Sequence, residues 1–121
     1  MVAELRSIET IDGESLTTYR PERVECFSLS IRLFVGPTGE ASSDAFDLEV
    51  VTPQWLLEND SDEPLIGRHM LIVPTYNPNK ISHFLSRCIS RCHGDTWERV
   101  AELVSRIAYW EFEDYRTPAG Q

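Results

Sequence analysis

Apolar and polar residues alternate over residues 24–35. Phe27, Leu29, Ile31, Leu33 and Val35 share one face, and Cys26, Ser28, Ser30 and Arg32 share the other. A period of two with one apolar face predicts a half-buried strand. Gly36-Pro37-Thr38-Gly39 ends it. Phe46, Leu48 and Val50 then alternate with Asp47 and Glu49, which predicts an antiparallel hairpin partner across a longish loop. Residues 2–9 predict a first, weakly patterned strand. Residues 10–23, with Asp12-Gly13 and Pro21, predict a loop. Residues 68–74 predict a further strand, stopped by Pro74.

Helical signals gather later in the chain. Thr52-Pro53 is a hydroxyl N-cap followed by proline at the first helical position, and starts a short helix over residues 53–59 with Trp55 and Leu56 inward. An acidic loop over residues 59–64 follows. Asn77-Pro78 repeats the signal, and Ile81, Phe84, Leu85, Cys88 and Cys92 keep helical spacing, so residues 78–92 predict an amphipathic helix. Gly94 stands where a helix stop belongs. Asp95 and Glu98 have capping-box spacing for a last helix with the apolar stripe Trp97, Val100, Ala101, Val104, Ile107 and Ala108. After Ala108 the period changes, and residues 110–115 read as a terminal strand or an ordered tail.

Strands come mainly first and helices mainly later. That order predicts an α+β fold: an antiparallel sheet of about four strands, two main C-terminal helices packed on one face, and one short helix. Residues 1–116 read as a single domain and residues 117–121 as a flexible tail.

Composition changes the picture in one respect. The hydrophobic content of 41%, with three Trp, four Tyr and five Phe, suffices for one core. The net charge, however, is −9, from 11 Lys and Arg against 20 Asp and Glu. Affinity for nucleic acid rests on cations that neutralise phosphates, so the chain is a poor direct binder of DNA or RNA and a fit for a basic protein. The charge is also segregated. Residues 40–63 hold eight acids and no base, and residues 64–94 hold four bases and no acid. Such a distribution makes a directional field, although acidity serves solubility as well. The first residues carry acids and no long apolar run, and the longest aliphatic run is residues 70–73, so the reading is a soluble cytoplasmic protein with no signal peptide and no membrane contact. Three cysteines, an odd number, fit a reducing compartment.

Candidate chemistry is sparse. Cys88 and Cys92 are one helical turn apart and share a face, but His93 points about 100° away on ideal helix geometry. Cys26, His69 and His83 have no ligand spacing, whereas zinc takes four N or S ligands in closed tetrahedral geometry. The cysteines therefore read as core thiols on the helix stripe, with no metal and no cofactor. A cysteine nucleophile needs a base within reach, and His93 beside Cys92 does not face it. Nucleophile-elbow, phosphate-loop and zinc-protease motifs do not occur, so the reading is not an enzyme. The run Tyr109-Trp110-Glu111-Phe112-Glu113-Asp114-Tyr115-Arg116 interleaves large aromatics with acids, which is the composition of a recognition surface. Anchoring of the C-terminus by Trp110 and Phe112 explains the aromatics equally well. Trp55, beside the acidic loop, reads first as a core residue.

An ordered set of short matches carries a resemblance. Phe46-Asp47, Thr52-Pro53 with Trp55-Leu56, Gly67-Arg68-His69, Leu71-Ile72-Val73 and Tyr76 form its first part. Cys92-x-Gly94, Thr96-Trp97-Glu98, Val100-Ala101, Ser105-Arg106-Ile107 and the run over residues 110–115 complete it. Over residues 46–116 the chain resembles the immunity protein 8 family of bacterial polymorphic toxin systems. It departs at Met70, where an aromatic is expected, and at Ala108, where glycine is expected. The resemblance implies a small, cytoplasmic, non-enzymatic antidote that binds and neutralises a cognate secreted or contact-dependent toxin domain. A basic nuclease leads among the toxin classes because this chain is acidic. The expected toxin-binding residues are Trp55, Asp60, Asp62, Glu63, Trp110, Glu111, Glu113, Asp114 and Tyr115, where carboxylates are densest and flanked by aromatics. The alternative is a non-enzymatic adaptor or structural subunit that uses its acidic face in a larger assembly.

Overall fold

The computed structural model describes residues 1–59 and 63–112 of the 121-residue chain. In order, its elements are β1 (Ala3–Thr10), β2 (Ser28–Pro37), β3 (Asp44–Val51), α1 (Pro53–Asn59), β4 (Met70–Ile72), α2 (Pro78–Ser90), α3 (Trp97–Val104) and β5 (Tyr109–Trp110). The fold is α+β, as the element order predicts.

The alternation in β2 and β3 sets the register of the sheet. Ile31 stands opposite Leu48 and Leu33 opposite Phe46, so the apolar faces of both strands coincide. β1 pairs with β2 antiparallel, with an irregularity between Leu5 and Ser7. β2 begins at Ser28, later than the alternation alone suggests, because the chain turns just before it: Cys26 N donates to Arg23 O at 3.3 Å. At the other end Gly36 is required by a close approach, since a Cβ there would lie 2.0 Å from Ser42 O.

The outer edge of β3 is shared by two short strands. β5 pairs antiparallel with Phe46 and Asp47, and β4 pairs with residues 49–51. The β4 pairing is parallel, so the sheet is mixed where an all-antiparallel one was expected. α1 is the cause: the chain leaves β3, crosses through this helix and the following loop, and returns in the same direction. His69, at φ 57°, makes the left-handed turn into β4, and its carbonyl accepts from Glu49 N at 3.1 Å.

Both long helices lie against one face. Ile81, Leu85 and Ile89 of α2 and Val100, Ala101 and Val104 of α3 form one core with the inward residues of the strands. Each fully buried aliphatic side chain there stabilises by about 1.5–3 kcal/mol. The long β1–β2 connection also covers core. Leu16 and Phe27 are buried, Tyr76 Oη donates to Leu16 O at 2.7 Å, and Tyr19 and Phe27 meet the Tyr76 ring edge to face at 5.7 and 5.4 Å.

Helix boundaries differ from expectation in small, explicable ways. Asn77 caps α2 as expected, its side chain accepting from Lys80 N at 3.1 Å, but α2 stops at Ser90. α3 is capped by Thr96, which accepts from Arg99 N at 3.2 Å, rather than by Asp95. It ends at Val104, so Ile107 and Ala108 join the packing from the turns that follow. Cys92 lies in the core, whereas Cys88 is half-buried and outside it, so only one of the two thiols is a core residue. The tail assigned to residues 117–121 and residues 113–115 of the 110–115 segment lie outside the described residues.

Candidate functional site

The helices leave the opposite face of the sheet open, and the same alternation that fills the core places charge there. Register aligns four residues in a row across four strands: Glu9 opposite Arg32, Arg32 opposite Asp47, and Asp47 opposite Tyr109. Arg32 forks onto Asp47, with Nε donating to Oδ1 at 2.8 Å and the second guanidinium nitrogen donating to Oδ2 at 3.0 Å. The hydrogen bonds donated to Asp47 and then the charge of Asp47 raise the Arg32 pKa, and Glu111 and Glu9 add to the effect from either side. One strand position along, Glu49 accepts from Ser28 Oγ and, at 2.9 Å, from Ser30 Oγ. Glu9, Asp47, Glu49 and Glu111 therefore place four carboxylates near the Arg32 guanidinium on this face. Shallow hollows sit on either side of Asp47, one lined by Ser30 and Glu49, the other by Arg32, Tyr109 and Glu111.

Asp47, Glu49 and Glu111 are fixed by cross-strand partners, which suits recognition. Asp47 has its arginine and Glu49 its two serines, so each presents a held negative charge with the remaining acceptor capacity outward. The thiols lie elsewhere. Burial raises the Cys92 thiol, and partial burial with Glu58 nearby raises Cys26, so both are disfavoured as thiolates. Among the described residues no group of three or more His, Cys, Asp or Glu could hold a metal ion. No described helix is long and apolar enough to cross a membrane.

The residues expected to form the site divide into three groups. Asp60, Asp62, Glu113, Asp114 and Tyr115 lie outside the described residues. Trp110 is committed to the fold: its ring stacks on Phe46 at 6.3 Å and its Nε1 donates to Asp44 Oδ2 at 3.1 Å. Trp55 is half-buried on α1 and stands apart from the core, where packing was expected. Glu63 is exposed. Of the expected residues that are described, Glu111 joins the open face, held by its backbone N to Ala45 O at 3.2 Å and by its carboxylate, which accepts from Ala45 N at 3.3 Å.

Glu9, Arg32, Asp47, Glu49 and Tyr109 were not expected there. The polar phases of the β2 and β3 alternations already contained Arg32, Asp47 and Glu49. Only the register, fixed by the turn around Gly36 and Ser42, shows that they meet. Many residues that carry the family resemblance prove to hold the frame. Thr52 is fully buried and accepts from Phe27 N at 3.0 Å, and His69 Nε2 donates to Ser105 O at 2.6 Å with its ring edge-on to Tyr109.

In comparisons with known proteins, a family model described as immunity protein 8 matches residues 3–115. No curated protein and no solved structure matches the chain.

Proposed function

From the premise that the chain belongs to the immunity protein 8 family, and so is an immunity protein that inhibits a toxin, we propose that it binds its toxin through the open face of the sheet. The single observation that supports this choice is the acidic patch near Arg32, in which Asp47, Glu49 and Glu111 are held by hydrogen bonds on the sheet face that neither α2 nor α3 covers. The toxin is a basic domain, delivered by secretion or by cell contact within a polymorphic toxin system. It is best matched by a nuclease, whose cleft must be basic to hold phosphates. An acidic face laid into such a cleft competes with the nucleic acid for the same cations. Inhibition is therefore by occlusion, one to one, in the cytoplasm, without chemistry by the inhibitor. The net charge of −9 adds long-range attraction to the encounter.

The test is co-expression with the toxin domain encoded beside this gene. Growth is expected when both are present and arrest when the toxin is alone. Nuclease activity in vitro should return as excess DNA or RNA displaces the inhibitor. Arrest in the presence of the folded protein would contradict the reading.

A further inference from the structure

β4 is an edge strand with its outer side open. On its inner side His69 O accepts from Glu49 N, and Val73 N donates to Val51 O. Successive residues of a strand turn their backbone groups to opposite edges, so Leu71 serves β3 while Met70 and Ile72 present theirs outward. Among the described residues nothing is hydrogen-bonded to that outer edge. Beside it runs an apolar groove lined by Leu71, Ile72 and Val73 and by Ile81 and Phe84 of α2. Both sides of the groove reach solvent: Ile72 is 56% exposed and Phe84 44%.

The rim of this groove is basic in an acidic protein. Lys80 borders it, and His83 and Arg87 continue along the exposed side of α2, with the Arg87 guanidinium 5.9 Å from the centre of the Phe84 ring. Residues 64–94 contain no acid that could neutralise Lys80 and Arg87 from within the segment.

We propose that the outer edge of β4 and its groove take an extended acidic–apolar segment of a protein partner, added to the sheet as a further strand. Backbone bonds to Met70 and Ile72 hold the segment. Every second side chain faces the helix layer, so an apolar one fills the groove and a neighbouring carboxylate on the same side meets Lys80 or Arg87. Charge complementarity selects this occupant over a second copy of the chain. Pairing two β4 edges about a two-fold axis would put both helix layers on one side of the joined sheet, with the two basic rims facing each other. The surface is distinct from the acidic face and opposite in sign, so the inference stands whatever becomes of the toxin reading.

The experiment is a nuclear magnetic resonance titration of the full chain with two capped octapeptides. One alternates serine with leucine and glutamate in turn, and the other has lysine for each glutamate. The acidic peptide is expected to shift the amides of Met70, Ile72 and the Lys80–Arg87 stretch saturably, and to bind at least about tenfold more tightly than the lysine peptide. The double variant Lys80→Glu/Arg87→Glu, on exposed positions, is expected to reverse that preference. Ile72→Pro, which removes an outward donor and leaves the β3 pairing intact, is expected to abolish binding of both peptides. The proposal is overturned by no saturable shift up to about 1 mM peptide, by equal binding of the two peptides, or by shifts confined to other surfaces. Concentration-dependent dimerisation through β4 would also overturn it, because the occupant would then be a second copy.

Discussion

Trp97 and Trp110 donate their indole N–H groups to the same atom, Asp44 Oδ2, at 2.9 and 3.1 Å. Asp44 opens β3, Trp97 opens α3 and Trp110 closes β5. One carboxylate oxygen thus ties the helix layer and the last strand to the middle of the sheet. Trp110 stacks on Phe46 beneath and meets Phe112 edge to face at 5.6 Å, so the aromatic run after α3 fastens the C-terminal end of the described chain.

This arrangement predicts an asymmetry between two substitutions. Asp44→Ala leaves two half-buried donors without their acceptor and should cost about 1–3 kcal/mol, whereas Asp44→Asn keeps an acceptor oxygen and should cost less than about 1 kcal/mol. Urea unfolding followed by tryptophan fluorescence measures both. Equal losses would show that the charge, not the shared acceptor, matters.

Tyr76 gives a pH dependence. Burial pushes its phenol above the ordinary value near 10. The folded state therefore keeps the proton where the unfolded chain releases it. The resulting stability is full below the unfolded phenol pKa and is lost as pH rises through the folded one. Between pH 9 and 11.5, values chosen to bracket roughly that ionisation, the urea midpoint should fall more steeply in the parent than in Tyr76→Phe. The variant should itself be weaker at neutral pH by about 0.5–1.5 kcal/mol through the lost bond to Leu16 O. Parallel pH profiles would exclude Tyr76 as the group responsible.

The two helix cysteines should behave differently. Cys92→Ala opens space in the core and should cost about 1–2 kcal/mol, and Cys88→Ala distinctly less. In the native protein Cys92 should alkylate slowest of the three thiols, being buried with a raised pKa. Mass spectrometry of iodoacetamide-treated protein over time reads the order. Stoichiometric zinc by elemental analysis would overturn the assignment of these residues as plain thiols.

If acidic attraction drives the encounter with the toxin, the association rate should fall as salt rises, while dissociation changes little. Stopped-flow mixing at about 20 and 500 mM salt, on either side of the physiological screening length, makes the comparison. A rate indifferent to salt would remove charge from the account.

The parts of this fold that were legible in the sequence are those decided locally. Alternation fixed which residues of β2 and β3 face inward, and Asn77-Pro78 marked the start of α2 because cap and first turn are adjacent in the chain. Asp95 looked like a cap by spacing, yet Thr96 is the cap because the first helical turn begins one residue later. The parallel pairing of β4 was not legible, since three residues carry no directional signal and the loop geometry around α1 decides it. The open acidic face was half legible. Arg32, Asp47 and Glu49 each stood in a polar phase, but the row depends on register across four strands. The dense runs of acids around Asp60 and Glu113 lie largely outside the described residues, and density in sequence does not by itself give proximity in space.

The central claim is tested most directly by the affinity of the neighbouring toxin domain for the parent and for the triple variant Glu9→Lys/Glu49→Lys/Glu111→Lys. Asp47 is left in place so that Arg32 keeps its partner. These positions are partly or fully exposed, so folding stability should change by no more than about 1 kcal/mol, and circular dichroism should be unchanged. Titration calorimetry should give one-to-one binding for the parent and a loss of roughly 100-fold or more for the variant, which should no longer protect cells. A folded variant that binds and protects as well as the parent would contradict the assignment of the open sheet face as the toxin-binding surface.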